Sequence, residues 1–233
     1  MVFCSCFCSK SSPSTQITLA FFGIDNSGKT TAFNTLRGEF DSVVSPTVGF
    51  DTASFTHQNT EVSIFDVGGG KKIRDIWEMY YAEVHGVVFF IDATDIDRLK
   101  DAGKALEECL SNPYLSKKPL LVLANKQDCT KSLSPSAIYT TLNLQRFSIG
   151  DFGILGATSL PFKRKPHPSL LSAIDWIVCR IVSSLDVLTV RVEKERLEFR
   201  AIQKKLREER RKRIQERMDS EGILPVSLTP NVV

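Results

Sequence analysis

Gly23-Ile24-Asp25-Asn26-Ser27-Gly28-Lys29-Thr30 follows an apolar run at residues 17–22 and leads into a helical pattern that reaches residue 36. The octet fits Gly-x-x-x-x-Gly-Lys-Thr set between a buried strand and a helix N-terminus. In that setting backbone N–H groups wrap an anion, and the unpaired donors of the helix start face the same point. A turn serving only to reverse the chain would not need the Lys-Thr pair. The expected phosphate contacts are Gly23, Asp25, Asn26, Ser27, Gly28, Lys29, Thr30 and the following Thr31.

Two further strand ends carry chemistry. Leu-Leu-Val-Leu-Ala at residues 120–124 runs into Asn125-Lys126-Gln127-Asp128. A carboxylate at Asp128 can accept the N1 and N2 hydrogens of guanine but would meet an acceptor at N1 of adenine. Asn125 can tie loops together, and Lys126 can cover the base with its aliphatic stem. Residues 61–65 alternate as a strand and deliver Asp66-Val67-Gly68-Gly69. Asp66 is expected to hold Mg²⁺ through a water while Thr30 binds it directly, and the Gly69 N–H is a candidate γ-phosphate donor. The cofactors expected are therefore GTP or GDP with Mg²⁺.

Apolar runs near residues 17–24, 61–67, 86–92 and 120–124 alternate with helical patterns around 30–37, 72–84, 97–111 and 134–142, which predicts a mostly parallel α/β sheet. Residues 50–55 should pair antiparallel with 61–65, and 152–155 form a weak sixth strand. Pro-Phe-Lys-Arg-Lys-Pro-His-Pro at 161–168 should turn the chain into a helix whose apolar face is Leu170, Leu171, Ile174, Ile177, Val178 and Ile181, with Cys179 in the packing. With no Gly or Pro from 169 to 221, that helix is expected to continue. Leu185, Val192, Phe199 and Leu206 repeat at seven, while Glu195 and Glu209 interrupt the companion seam of Leu188 and Ile202. A short or antiparallel coiled coil, one that folds back on the domain, and a solvated single helix both fit. His85, opening the run at 86–92, reads as structural rather than as a base.

With the three blocks in this order, the chain resembles the ADP-ribosylation-factor branch of small GTPases and is most similar to the ARF-like subfamily numbered thirteen. The resemblance covers residues 16–185. It implies a P-loop small GTPase fold, a mostly parallel six-stranded sheet flanked by helices, with a C-terminal helical extension. Pro46-Thr47-Val48-Gly49-Phe50 matches the first switch, which implies that Thr47 completes the Mg²⁺ shell. Ile73-Arg74-Asp75-Ile76-Trp77 and Tyr80-Tyr81 match the second switch, Asp92-Ala93-Thr94-Asp95 with Arg98 the end of the fourth strand, and Ala157 and Thr158 the last guanine contact. Phe50, Phe65 and Tyr80, with Trp77 nearby, fall where the family presents an aromatic effector patch, although core packing also fits Phe50 and Phe65. One position departs: relatives that hydrolyse GTP carry glutamine after Gly69, and here it is Gly70, with no side chain to orient water. The resemblance implies a GTP-bound or slowly cycling switch of membrane or ciliary trafficking, able to promote nucleotide exchange on another ARF-like GTPase. A partner-stimulated GTPase and a pseudo-GTPase binding module remain the alternatives.

At 233 residues and 26.0 kDa, with 42% hydrophobic residues, the chain supports one full core and an extension. We divide it into a cysteine-rich segment (1–15), an ARF-like domain (16–185), a charged extension (186–221) and a tail (222–233). Residues 191–218 hold twelve basic and six acidic side chains, so the +3 of the whole chain leaves −3 elsewhere. No aromatic or motif-based module accompanies that basic segment, and no specific nucleic-acid partner is expected. Cys4, Cys6 and Cys8 stand where the thirteen-like subfamily carries lipid-modified cysteines; unmodified thiols and a metal site are the other readings. Val2 excludes an N-myristoyl signal, so a peripheral anchor would rest on acylation of two cysteines. The expected location is intracellular, at a membrane, with the primary cilium implied by the resemblance alone.

Overall fold

The computed structural model describes residues 15–147 and 151–220. Six strands, β1 (Thr15–Phe22), β2 (Phe50–His57), β3 (Thr60–Val67), β4 (Gly86–Asp92), β5 (Leu120–Asn125) and β6 (Phe152–Gly156), form one sheet in the order β2-β3-β1-β4-β5-β6. Only the β2–β3 hairpin is antiparallel. Its helices are α1 (Lys29–Leu36), α2 (Glu78–Tyr81), α3 (Leu99–Ser111), α4 (Pro135–Thr141), α5 (Pro168–Val182) and α6 (Leu185–Ser220). This is the P-loop GTPase fold expected from the motif order, with β2 and β6 where the alternation put them.

The two-residue period of the strands divides the core between the faces. Ile17, Leu19 and Phe21 of β1, Val88 and Phe90 of β4, and Leu121 and Leu123 of β5 pack beneath α1 and α5 with Phe33, Ile174 and Ile177. Ala20, Phe22, Phe89, Ile91 and Val122 point the other way, toward Trp77, Leu106 and Ile138. Because β4 and β5 are buried on both faces, they read as unbroken apolar runs. All the parallel strands then end on one rim, where the loops that carry polar chemistry gather.

Three expectations need correction. The helix expected over 72–84 is a 3-10 turn at Arg74–Ile76 followed by the single turn of α2. Inward bonds from Trp77 Nε1 to the Gly68 carbonyl and from Arg74 Nε to the Gly69 carbonyl set its path more than periodicity does. The helix expected through 169–221 breaks at Ser183 and Ser184, whose hydroxyls donate to the Arg180 carbonyl and compete with the helical ladder. The break lets α6 fold back so that Leu188 and Val192 are buried. Cys179 is exposed rather than packed, since one residue beyond Val178 rotates it about 100° off the apolar face.

His85 shows how the sheet begins without an edge defect. Its N–H donates to the Thr18 carbonyl (2.8 Å), and its ring Nδ1 accepts the Thr18 N–H (3.0 Å). An accepting Nδ1 must be unprotonated. Burial first, with Lys118 adding to it, pushes the imidazole down from 6.5 to about 4. Between those values the unfolded chain binds a proton that the folded chain refuses, so this contribution is complete above pH 6.5 and lost as pH falls toward 4. Urea unfolding should show the native protein losing up to about 3 kcal/mol over that interval relative to His85→Gln; parallel pH profiles would contradict it.

Candidate functional site

Between β1 and α1 the chain runs close to Phe90 of β4 and Asn125 of β5, and the positive φ of Gly28 (89°) makes the last bend. A Cβ there would lie 2.2 Å from Asn125 Nδ2, so the site needs glycine for space as well as for backbone conformation. Lys29 is nearly buried, and its ammonium donates to the carbonyls of Gly23 (2.9 Å) and Ile24 (2.8 Å) and to Ser27 Oγ (3.3 Å). Burial pushes it from 10.5 down to about 8, against the pull of Asp66 and Asp25. The loop thus holds a positive charge bonded to its own backbone, which an entering phosphate can take over.

Asp66 closes β3 with no exposure to solvent. Its Oδ2 accepts the hydroxyls of Thr30 (2.7 Å) and Thr47 (3.3 Å), which lie 2.8 Å from each other. Its Oδ1 is buried with no partner. Desolvation raises the carboxyl above the usual carboxylate range, opposed by the Thr30 hydrogen bond and the Lys29 charge. Two hydroxyls and a carboxylate with one unused oxygen make a hard-oxygen donor set that suits Mg²⁺. Thr47 reaches this point from an otherwise exposed segment, anchored where the Gly68 N–H donates to the Gly49 carbonyl (2.9 Å).

A cleft of about 290 Å³ opens over this cluster, lined by residues from 25–31, 44–48, 68–70 and Ile73. A Cβ on Gly69 would fall 2.3 Å from the Gly23 carbonyl oxygen and 2.6 Å from the Asp25 nitrogen, so this backbone lies directly on the phosphate loop. At Gly70 the nearest atom to such a Cβ is Ile73 Cδ1 at 3.9 Å. The position has room for a side chain and carries none.

At the other end of the rim, Asn125 is the tie expected of it. Its Nδ2 donates to the Ser27 carbonyl (2.8 Å), while its Oδ1 accepts the N–H (3.1 Å) and hydroxyl (2.9 Å) of Ser159. Gln127 N–H donates to the Ala157 carbonyl, so Lys126, Ala157 and Thr158 stand on adjoining loops. Lys126 pairs with Asp92 (2.6 Å), and Asp128 projects into solvent beside them. Sequence reading missed Ser159, whose only signal is a small polar residue after the Ala-Thr pair. It also missed Arg98 as a bridge from Asp95 (2.7 Å) to Asp25 of the phosphate loop (3.0 Å).

Phe50, Phe65 and Tyr80 form a triangle of rings with centroids 5.2–6.5 Å apart, and Phe50 is 53% exposed. Trp77 departs from the expected patch: it is 3% exposed and packs beneath, on Phe22 and Phe89. The expected acylation residues Cys4, Cys6 and Cys8 lie outside the described residues.

The pattern of the ADP-ribosylation factor family matches residues 3–180. The chain belongs to that family. Among ARF relatives it is 34% identical over 194 residues to ADP-ribosylation factor-like protein 13B of Chlamydomonas reinhardtii, spanning 83% of this chain but 37% of that one. It is 36% identical to ADP-ribosylation factor-like protein 2 of Arabidopsis thaliana, covering 74% of this chain and 91% of the relative. The fold is shared with the Arl6 BBS3 small GTPase of Trypanosoma brucei, solved with the nucleotide analogue GppNp, at a TM-score of 0.62 and 24% identity over 76% of this chain and 99% of that one. The similarity extends to several branches of the ARF family and does not separate the thirteen-like subfamily from the others.

Because Asn125 joins the phosphate loop to the β6 loop through three hydrogen bonds, Asn125→Ala should cost about 2–4 kcal/mol in urea unfolding. Unchanged stability would show that the loops hold without it.

Proposed function

We propose that this chain is a guanine-nucleotide switch that binds GTP or GDP with Mg²⁺ and hydrolyses GTP slowly. The observation that carries the reading is the open, side-chain-free position at Gly70 beside an otherwise complete Thr30–Thr47–Asp66 cluster. Thr30 and Thr47 would hold Mg²⁺ through their hydroxyls and Asp66 through a water, and the metal when bound would neutralise charge on the β- and γ-phosphates. Lys29 would exchange its bonds to the Gly23 and Ile24 carbonyls for phosphate oxygens. Asp128, Asn125, Lys126, Ala157 and Thr158 would orient and select the base, Asp128 through the two guanine hydrogens that adenine lacks. With no side chain at position 70, a water in the cleft has no group there to aim it.

Partner-stimulated hydrolysis remains compatible with the empty space at Gly70, where another protein could insert the missing group. Retention of Lys29, Thr30, Thr47 and Asp128 argues against a pseudo-GTPase. The finer role, a switch of membrane or ciliary trafficking with exchange activity toward another ARF-like GTPase, is supported by resemblance to the thirteen-like subfamily. No described helix is long and apolar enough to cross a membrane, and a peripheral anchor would rest on acylated Cys4, Cys6 and Cys8.

Single-turnover assays on GTP-loaded protein should show little hydrolysis, and Gly70→Gln should raise the rate about tenfold or more, since the position has space for the side chain. Fast hydrolysis by the native protein would overturn the reading. In cells, replacing Cys4, Cys6 and Cys8 together by Ser should release the protein from the membrane fraction; unchanged recovery would remove acylation as the anchor.

A further inference from the structure

α2 is a single helical turn tied at both ends. At its start, Trp77 Nε1 donates to the Gly68 carbonyl (2.8 Å), and Arg74 Nε just before it donates to the Gly69 carbonyl (2.9 Å). At its end, the Tyr81 carbonyl accepts the ammonium of Lys118 (2.8 Å), a lysine that is 1% exposed. Lys118 spends its other contact on Glu195 of α6 (2.8 Å). Arg191, one turn earlier on α6, donates to Glu195 (2.6 Å) and reaches the Tyr114 carbonyl, while Phe199 sets its ring on Tyr114. Arg200 then pairs with Glu83, two residues past the end of α2 (3.6 Å).

We propose that α6 is a latch on the second switch: through Glu195–Lys118 and Arg200–Glu83 it fixes α2, and through α2 the Gly68-Gly69 backbone that faces the γ-phosphate position. A buried lysine is expensive unless paired, so Lys118 holds α6 and α2 together or leaves a charge without a partner. Beside these ties the two helices are separated by a hollow of about 450 Å³, so polar links rather than continuous apolar packing set their spacing. Such a contact is a discrete one, made or broken. Any displacement of Gly68-Gly69 between GDP and GTP is carried by α2 to Tyr81 and Glu83, and so to α6. By linkage the dependence is mutual: if the nucleotide changes the docking of α6, docking changes the preference for GTP over GDP by the same factor.

The inference rests on reading the cleft as a guanine-nucleotide site, and one set of measurements separates the two. On the full chain loaded with GDP or with a non-hydrolysable GTP analogue, hydrogen exchange of the α6 amides at 188–200 should differ fivefold or more between the two states. Glu195→Gln and the surface substitution Arg200→Ala should each shift the ratio of GTP-analogue to GDP affinity at least fivefold. Arg200→Ala and the native protein decide the matter if Glu195→Gln does not fold. A native protein that retains nucleotide, with equal exchange in both states and ratios within twofold in the folded variants, overturns the latch alone. One that retains no nucleotide overturns the cleft assignment, and the latch with it.

Discussion

A carboxylate sealed from water at the end of β3 organises the rim of this molecule. Asp66 has one oxygen taken by the Thr30 and Thr47 hydroxyls and the other unclaimed. Burying such a group is costly unless something compensates it. The compensation on hand is the Lys29 charge and the Thr30 hydroxyl bond, both from the start of α1, and a longer Thr47 hydroxyl bond from the segment before β2. Satisfying Asp66 thus forces the start of α1, the segment before β2 and the end of β3 to meet. The cleft is where those three segments meet, and its chemistry follows from the electrostatic need of one side chain.

The same economy appears at the opposite end of the strands. Lys118 lies beneath the start of β5, and its charge is met by the Tyr81 carbonyl and by Glu195. A glutamate that looks like a defect in a coiled-coil seam is therefore the residue that docks α6 to its own domain. The early seam positions Leu188 and Val192 are buried against that domain, and the later ones, Ile202 and Leu206, are half exposed. The helix begins as part of the fold and ends as a basic arm.

Legibility divided along the same physical line. The phosphate loop, Asp66 and the Asn125 tie could be read from the chain because their spacing is local and their residue types are dictated by backbone approach and hydrogen-bond chemistry. β1, β4 and β5 were legible as short apolar runs ending in polar loops, and β3 by its alternation, both being local properties. The break at Ser183-Ser184 was not, since side-chain bonding to a carbonyl competes with the helix without the Gly or Pro that usually marks a stop. Trp77 was grouped with the aromatic patch by resemblance alone, whereas packing on Phe22 and Phe89 and the bond to the Gly68 carbonyl turn its ring inward. The pairing of Lys118 with Glu195 joins residues far apart in sequence, where no spacing rule applies.

We read the rim built on Asp66 as the seat of a guanine nucleotide with Mg²⁺. Its most direct test is displacement of a fluorescent GDP analogue from purified protein by GTP, GDP and ATP, each with Mg²⁺ and with a chelator. Displacement by GTP and GDP but not by ATP is expected, with release accelerated when Mg²⁺ is removed. Failure of the folded protein to retain the analogue, or equal displacement by ATP, would contradict it.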